Sequence, residues 1–473
     1  MEGPKLLVRK VVVLGGGVAG LSAAIHLASK GNQVILLEQE ATLGGKASEI
    51  REDGFRFDTG PSVLTMPDVV AGIFQDAGRT CPIAFEPLAP LSRNIFASGR
   101  VLDVYHDWEK TQGQLDPSEK VAFKKLIKEA QKLYIGASET FVFGRAPGIL
   151  ELLNYAIRYG FCSHPTSKLL SLIRSFHPSS DLEKIFLRFA TYLGANPYLA
   201  PAILHNIAWV ELGQGAVFPK GGMHGLVRAL EELALDLNVD IRRSEEVTHL
   251  EVKGGVLSSV IAGGQIKCDA AVSSLDIIRT YQLLGRRHRL EQAKPSLSGL
   301  VVFLAIKGYN PLMSHHTISY PSNYRAEFDS IESGEWPDDP TLYVYLSCRG
   351  DSRDAPLGCE NWFVMTNAPT FENLIDEERQ VCRVIKLLIN RGFLKPEQIL
   401  WAKHLGPSRL AKMAHRGSIY GNAPDSLLST LRPGNRVPGV SNLTLAGGTV
   451  FPGGGVPLAL LSGKEAARLI QIS

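Results

Sequence analysis

The stretch KVVVLGGGVAG, residues 10–20, decides the fold. Lys10 to Leu14 is a run of branched apolar residues suited to a strand covered on both faces. It runs straight into Gly15, Gly16 and Gly17, after which Leu21 to Ala28 reads as a helix ended by Gly31 and Asn32. Gln33 to Leu37 is the second parallel strand, and it ends on Glu38. Gly15 permits the tight turn, Gly17 lets backbone approach a diphosphate, and Gly20 lets the helix pack close to the strand. Val18 and Ala19 stand in the turn just ahead of that helix, whose N-terminal unpaired N–H groups and dipole favour an anion. Glu38, 18 residues beyond Gly20, can accept hydrogen bonds from a ribose diol. Together these parts predict an α/β unit that binds a dinucleotide.

A second glycine pair follows the second strand, in Gly44-Gly45-Lys46. It lets another piece of backbone approach the diphosphate, and Lys46 can add charge there. Far along the chain, Leu443 to Thr449 reads as a short buried strand ending in glycines. Pro452-Gly453-Gly454-Gly455-Val456-Pro457 and a helical run from Leu458 to Ile470 come next. Glycines ahead of a helix again offer N–H groups, so Gly448, Thr449, Gly455 and Val456 are expected contacts. The nucleotide unit is thus discontinuous in sequence, and the middle of the chain is left to the substrate.

Composition narrows the class. The 473 residues are 45% apolar and 21% charged, enough for two or three domains. A formal charge of +3 with no Lys/Arg block argues against nucleic acid. The six cysteines form no C-x-x-C pair, which predicts reduced and mostly buried thiols. No window approaches about 18 apolar residues without charge, so a spanning helix is not expected. The first strand begins too early for a secretory leader, and the cytoplasm is the expected compartment. There is no second G-x-G-x-x-G between strand and helix, which argues against a separate nicotinamide domain.

With these residues in view, the chain resembles the bacterial phytoene desaturase family, the FAD-dependent carotenoid desaturases and isomerases. The resemblance runs nearly end to end. Gly44-Gly45-Lys46 and Phe57 to Ser62 are similar to the wider flavin amine-oxidase superfamily. Gly194 to Pro197, Phe218 to Met223 leading into Leu226, Asn310 to Arg325, and Gly447 to Pro457 are closer to the carotenoid enzymes. The closing stretch Ala446 to Gly463 looks most like the hydroxycarotenoid 3,4-desaturase branch. The resemblance implies FAD as cofactor and places Gly60, Pro61, Ser62 and Val247 among its contacts. It also implies a lipophilic polyene substrate, a membrane surface as partner, and quinone or oxygen as electron acceptor. One departure is Phe451, where that branch often carries His. No acid–base pair of the family is matched either, since Gly148 to Tyr159 offers only Glu151 and Arg158. The catalytic group stays unassigned, and no metal site is expected.

The expected architecture is a Rossmann-like FAD-binding domain with a mixed-sheet substrate domain and a helical, membrane-facing subdomain. The first would take residues 1–80, 213–290 and 406–473, the second 81–135 and 291–405, and the third 136–212. Phe141 to Cys162 reads as one or two amphipathic helices that dip into a bilayer or pack on their own domain. Leu182 to Leu193, Pro201 to Leu212 and Gly225 to Leu237 are further helical stretches. Val247 to Val272 alternates as a small antiparallel sheet with turns at Gly254-Gly255 and Gly263-Gly264. Leu300 to Ile306, Thr341 to Ser347 and Trp362 to Met365 are buried strands. His315 and His316 are expected on opposite faces of a strand as ordinary residues. Glu335, Asp338 and Asp339 are expected in a solvated turn. The expected activity is C=C formation by hydride transfer to flavin. Alternatives are a carotenoid oxygenase or ketolase, a retinoid saturase, or a non-catalytic isoprenoid-binding chaperone.

Overall fold

The computed structural model describes residues 8–160, 163–370 and 376–472. Val11, Val12, Val13 and Leu14 are fully buried, as a strand covered on both faces must be. This strand, Lys10–Leu14, is central in a five-stranded parallel sheet. Its neighbours are Gln33–Leu37 on one side and Ala270–Ser273 on the other, flanked by Asp240–Arg242 and Leu443–Leu445. The helices Val18–Ala28, Gly222–Asp236 and Val456–Gln471 cover one face. The other face packs on a three-stranded antiparallel sheet, His249–Lys253, Val256–Ile261 and Gln265–Lys267. The alternating stretch expected through Val272 therefore stops at Lys267. Ala270–Ser273 is buried on both faces and joins the parallel sheet instead.

A seven-stranded mixed sheet forms the second layer. Its order is Ile399–Leu405, Ser298–Lys307, Cys359–Ala368, Leu342–Tyr345, His316–Ser319, Ser92–Ile95 and Val101–Val104. Only the junction of His316–Ser319 with Ser92–Ile95 is parallel among these described strands. Side-chain alternation divides its long strand cleanly. Leu300, Val302, Leu304 and Ile306 join the core beneath helix Glu377–Asn390, while Val301, Phe303 and Ala305 face the opposite way.

That opposite face is roofed by helices Pro117–Phe141, Leu169–Arg174, Ser180–Arg188 and Asn206–Leu212. Pro117 starts the longest at a position that needs no N–H donor, and the Glu119 carboxylate accepts from Asp116 N. Its buried stripe, Ala122, Leu126, Ala130, Leu133 and Ala137, follows helical spacing. A further helix, Ile149–Tyr159, buries no residue. Phe161 and Cys162, the end of the stretch expected to be amphipathic, lie outside the described residues. No helix among the described residues is long and apolar enough to cross a membrane. The thiols differ from expectation: Cys81, Cys268, Cys348 and Cys359 are half-buried and Cys382 is exposed, because each sits at the margin of a core. Glu335, Asp338 and Asp339 are exposed, and the two aspartates pair with Arg383 and Arg391.

Candidate functional site

The glycine turn shows why small residues occupy it. A Cβ on Gly20 would lie 2.0 Å from the Gly15 carbonyl oxygen, so the first helix can approach the strand only with hydrogen there. At Gly17 a Cβ would meet nothing nearer than Gly44 O, at 4.0 Å. The two glycines thus face different things, protein at Gly20 and open cavity at Gly17. Gly44 N donates to Gly16 O at 2.9 Å, which ties the second glycine pair to the first turn. The Glu38 carboxylate is held from both sides, accepting from Gly16 N at 2.7 Å and from Glu40 N at 2.9 Å. It lines the cavity with lone pairs to spare for a diol. The C-terminal segment closes the cradle. Helix Val456–Gln471 starts at Gly455 and crosses the first helix at Gly463, where a Cβ would lie 2.2 Å from Ala19 O.

The expected contacts other than Gly20 meet in one cavity of about 1940 Å³. Gly15, Gly17, Val18, Ala19, Glu38, Gly45, Lys46, Gly60, Pro61, Ser62, Val247, Gly448, Thr449, Gly455 and Val456 line it. Gly20 lies behind, against Gly15. Lys46 is turned toward Ile419, donating from Nζ to its carbonyl oxygen at 2.6 Å. Burial lowers its pKa, with Asp276 opposing. The Thr449 hydroxyl accepts from Ile277 N at 3.1 Å and so serves the fold as well. Phe451 is buried and its side chain packs away from the cavity-lining set.

From the cradle the cavity runs beneath the helical roof, over the sheet face of Val301, Ile318, Tyr343 and Phe363. Typical small-molecule pockets hold about 300–1,000 Å³, so this one has room for a dinucleotide and a second long ligand. Several polar groups here went unseen in the sequence. Arg188, Tyr192 and Glu211 line the roof. Burial opposes charge on Arg188, but Tyr192 and Glu211 outweigh it and hold the guanidinium well above its ordinary range. Arg432 also lines the cavity, held by the Asn422 carbonyl and side-chain oxygens, and burial pushes it down to about 10. Ser62 Oγ and Tyr343 Oη are hydrogen-bonded at 2.7 Å, and Tyr343 Oη and His316 Nδ1 at 2.7 Å.

The histidine pair corrects the opposite-faces expectation. The strand begins only at His316, so alternation does not govern His315, and the two rings touch with centroids 4.6 Å apart. His316 is buried and His315 half-buried, and desolvation is the main cause holding His315 down at about 4 and His316 well below its ordinary value. Glu151 and Arg158 are absent from the cavity lining. Glu151 instead pairs with Arg145 at 2.6 Å and accepts from Gly148 N.

Residues 18–471 match the family of flavin containing amine oxidoreductases. The chain belongs to that family. It is an FAD-dependent oxidoreductase of the carotenoid desaturase family, and its relatives, matched over nearly their whole length, are named as carotenoid desaturases and oxygenases. It is 32% identical to a 4,4'-diapolycopene oxygenase of a Methylomonas species, over 96% of this chain and 97% of the relative. It is 30% identical to a 1-hydroxycarotenoid 3,4-desaturase of a Flavobacterium species, over 98% and 99%. A phytoene dehydrogenase of Streptomyces griseus is also 30% identical, over 99% and 96%. Among solved structures, cyclohexylamine oxidase from Brevibacterium oxydans shares the fold, with a TM-score of 0.65 at 14% identity, over 98% of this chain and 99% of that one.

The cradle of this flavoprotein fits FAD. The open side of Gly17, the first N–H groups of helix Val18–Ala28 and the presented Glu38 carboxylate suit a diphosphate and its ribose. When bound, FAD supplies a hydride acceptor.

Proposed function

We propose that this flavoprotein desaturates a carotenoid, a long lipophilic polyene, by forming a C=C bond between adjacent saturated carbons. A hydride leaves one carbon for FAD, a proton leaves its neighbour, and the electron pair of that C–H bond becomes the new π bond. Quinone or dioxygen takes the two electrons on. The observation that carries this reading is the continuous cavity running from the glycine cradle beneath the helical roof and over an apolar sheet face. Its residues would hold an extended chain against the cofactor and keep water away. Relatives named for desaturation support it. The identity of 32% to a protein named as an oxygenase supports a second reading, oxygen insertion into the same class of substrate. Pigment analysis of bacterial hosts making phytoene, neurosporene or a 1-hydroxycarotenoid, with and without this gene, separates the two. A product lighter by two hydrogens is expected. A product heavier by oxygen sinks the first reading in favour of the second, and no change in any host sinks both.

We also propose that the protein is peripheral, with helix Ile149–Tyr159 lying on an anionic lipid surface. Leu152, Tyr155 and Ala156 line the cavity, while Ile149, Leu150 and Ile157 are 78%, 78% and 82% exposed on the same short helix. Arg158 beside them is an exposed cation suited to anionic headgroups. Membrane lipid would thereby stand next to the cavity lining. Flotation with phosphatidylserine-containing vesicles tests this. Ile157→Glu should weaken binding at least about tenfold, the scale of one buried aliphatic side chain. Wild-type protein that stays unbound would overturn it.

A further inference from the structure

Arg432 is a half-buried cation on the cavity wall that no anion answers. Its Nη1 donates to the Asn422 carbonyl oxygen at 2.9 Å and to Asn422 Oδ1 at 2.7 Å, both of them neutral acceptors. Among the described residues no carboxylate pairs with it, and its pKa, lowered by burial to about 10, leaves it charged near neutral pH. It lies against residues 419–422 on one side and residues 453–455 on the other, since a Cβ on Gly453 would stand 3.7 Å from Arg432 Cγ. The ionisable side chain of those two segments is Tyr420, which burial raises to about 12 and so keeps neutral. Lys46 is fastened to the same wall through the Ile419 carbonyl oxygen, but Asp276 stands near enough to favour its charge. Arg432 has no such neighbour. A charge withdrawn from water is costly unless an opposite charge compensates it, so stability of the protein alone does not account for this one.

Its place along the cavity says which anion it can meet. Helix Val456–Gln471 crosses the first helix at Gly463, against Ala19 O, beside the N–H groups that suit the diphosphate. Its first residue comes seven positions earlier, so at 1.5 Å per residue its start stands about 10 Å from that crossing. A Cβ on Gly455 would meet nothing within 4 Å, so the wall is open there as it is at Gly17. With Glu38 taking the adenosine end, what can lie that far from the diphosphate is the flavin ring, at the end of its ribityl chain. Oxidised flavin is neutral. A hydride brings one proton and two electrons, so the ring gains one negative charge, spread over N1 and the C2 carbonyl of its pyrimidine edge. A fixed cation beside the positive end of a helix is organised in advance for charge that exists only after reduction.

We propose that Arg432 holds the negative charge that hydride transfer leaves on the pyrimidine edge of the flavin, and so sets how readily this protein takes a hydride. The proposal needs FAD in the cradle but no particular hydride donor, so it stands apart from the polyene reading. The test is potentiometric reduction of the FAD-loaded enzyme, without substrate, at several pH values. With the reduced ring kept anionic, the wild-type midpoint should fall by about 30 mV per pH unit from about pH 6 to about pH 8, the slope of one proton per two electrons. A wild-type slope near twice that at the acid end, where a second proton would join the ring, overturns the proposal. Arg432→Met should lower the two-electron reduction constant at least about tenfold, or ~30 mV, and should steepen the slope near pH 6. Arg432→Lys, which keeps the charge, should recover most of that loss, with flavin content confirming an intact cradle in each variant. A flavin-loaded Arg432→Met that retains the wild-type potential and slope overturns the proposal, as does an Arg432→Lys that behaves like Arg432→Met.

Discussion

At the cradle, the glycine-rich stretches Gly15 to Gly20, Gly44-Gly45 and Gly447 to Val456 surround the cavity chiefly with backbone, whereas under the roof Arg188, Glu211, Leu152 and Tyr343 line it with side chains. Backbone can approach a diphosphate only where side chains are missing, so the cradle's composition is dictated by distance. A wall for a hydrocarbon needs only apolar volume, and many sequences supply it. The cradle should therefore fail abruptly on substitution, while the roof should change by degrees.

The sharpest test sets Gly20 against Gly17. Gly20→Val places side-chain atoms where Gly15 O already stands, and helix and strand must separate. The expected result is little or no folded protein, since even ordinary overpacking costs about 1–3 kcal/mol and this contact is with backbone. Gly17→Val projects into the cavity and should give a folded apoprotein that lacks the visible flavin band. A yellow Gly17→Val protein would show that the cradle is not where the cofactor lies. Next in size is Glu38→Ala. It removes the acceptor for two backbone N–H groups and for the ribose, so FAD affinity should fall roughly 10- to 100-fold by titration of the apoprotein. Unchanged affinity would break the assignment of Glu38 to the ribose.

A smaller effect belongs to the roof. His205 is buried beneath Leu126, and burial lowers its pKa to about 4 from an ordinary value near 6.5. Between those pH values the unfolded chain binds a proton that the folded protein refuses, so stability rises with pH across this window. Thermal midpoints should drop by a few degrees as pH falls from about 6.5 toward 4, and His205→Gln should flatten that slope. A wild-type midpoint independent of pH in this range would contradict the burial argument. Helix Ile149–Tyr159 stands last, because Ile157→Glu should leave the thermal midpoint nearly unchanged while weakening the proposed vesicle binding.

The same contrast explains what could be read before the structure was known. Gly15, Gly17, Gly20 and Glu38 were legible because spacing and residue type there answer to one geometry. Gly448 to Val456 became legible by coupling to them. Arg188 and Glu211 were not, because Arg188 is one of four charges on its helix and Glu211 a lone charge in an apolar run, and only the fold brings Ser180–Arg188 beside Asn206–Leu212. Tyr343 and His316 meet through strand pairing far from either in sequence. Lys46 was seen as a cradle cation, yet its partner is Ile419, more than 370 residues onward, and no local pattern encodes such a bond. Ala270–Ser273 was read with the wrong sheet because three small apolar residues and a serine carry no mark of which neighbour they will join.

The crossing of Val456–Gln471 over Val18–Ala28 at Gly463 has a consequence for how the protein is made. The strand Lys10–Leu14 leaves the ribosome well before helix Val456–Gln471. At about 5–20 residues per second, roughly twenty to ninety seconds separate the two. During that interval the first helix lacks the one that crosses it, and the cavity lacks its wall from Gly447 to Val456. A ligand held from both sides must wait for that later helix to emerge.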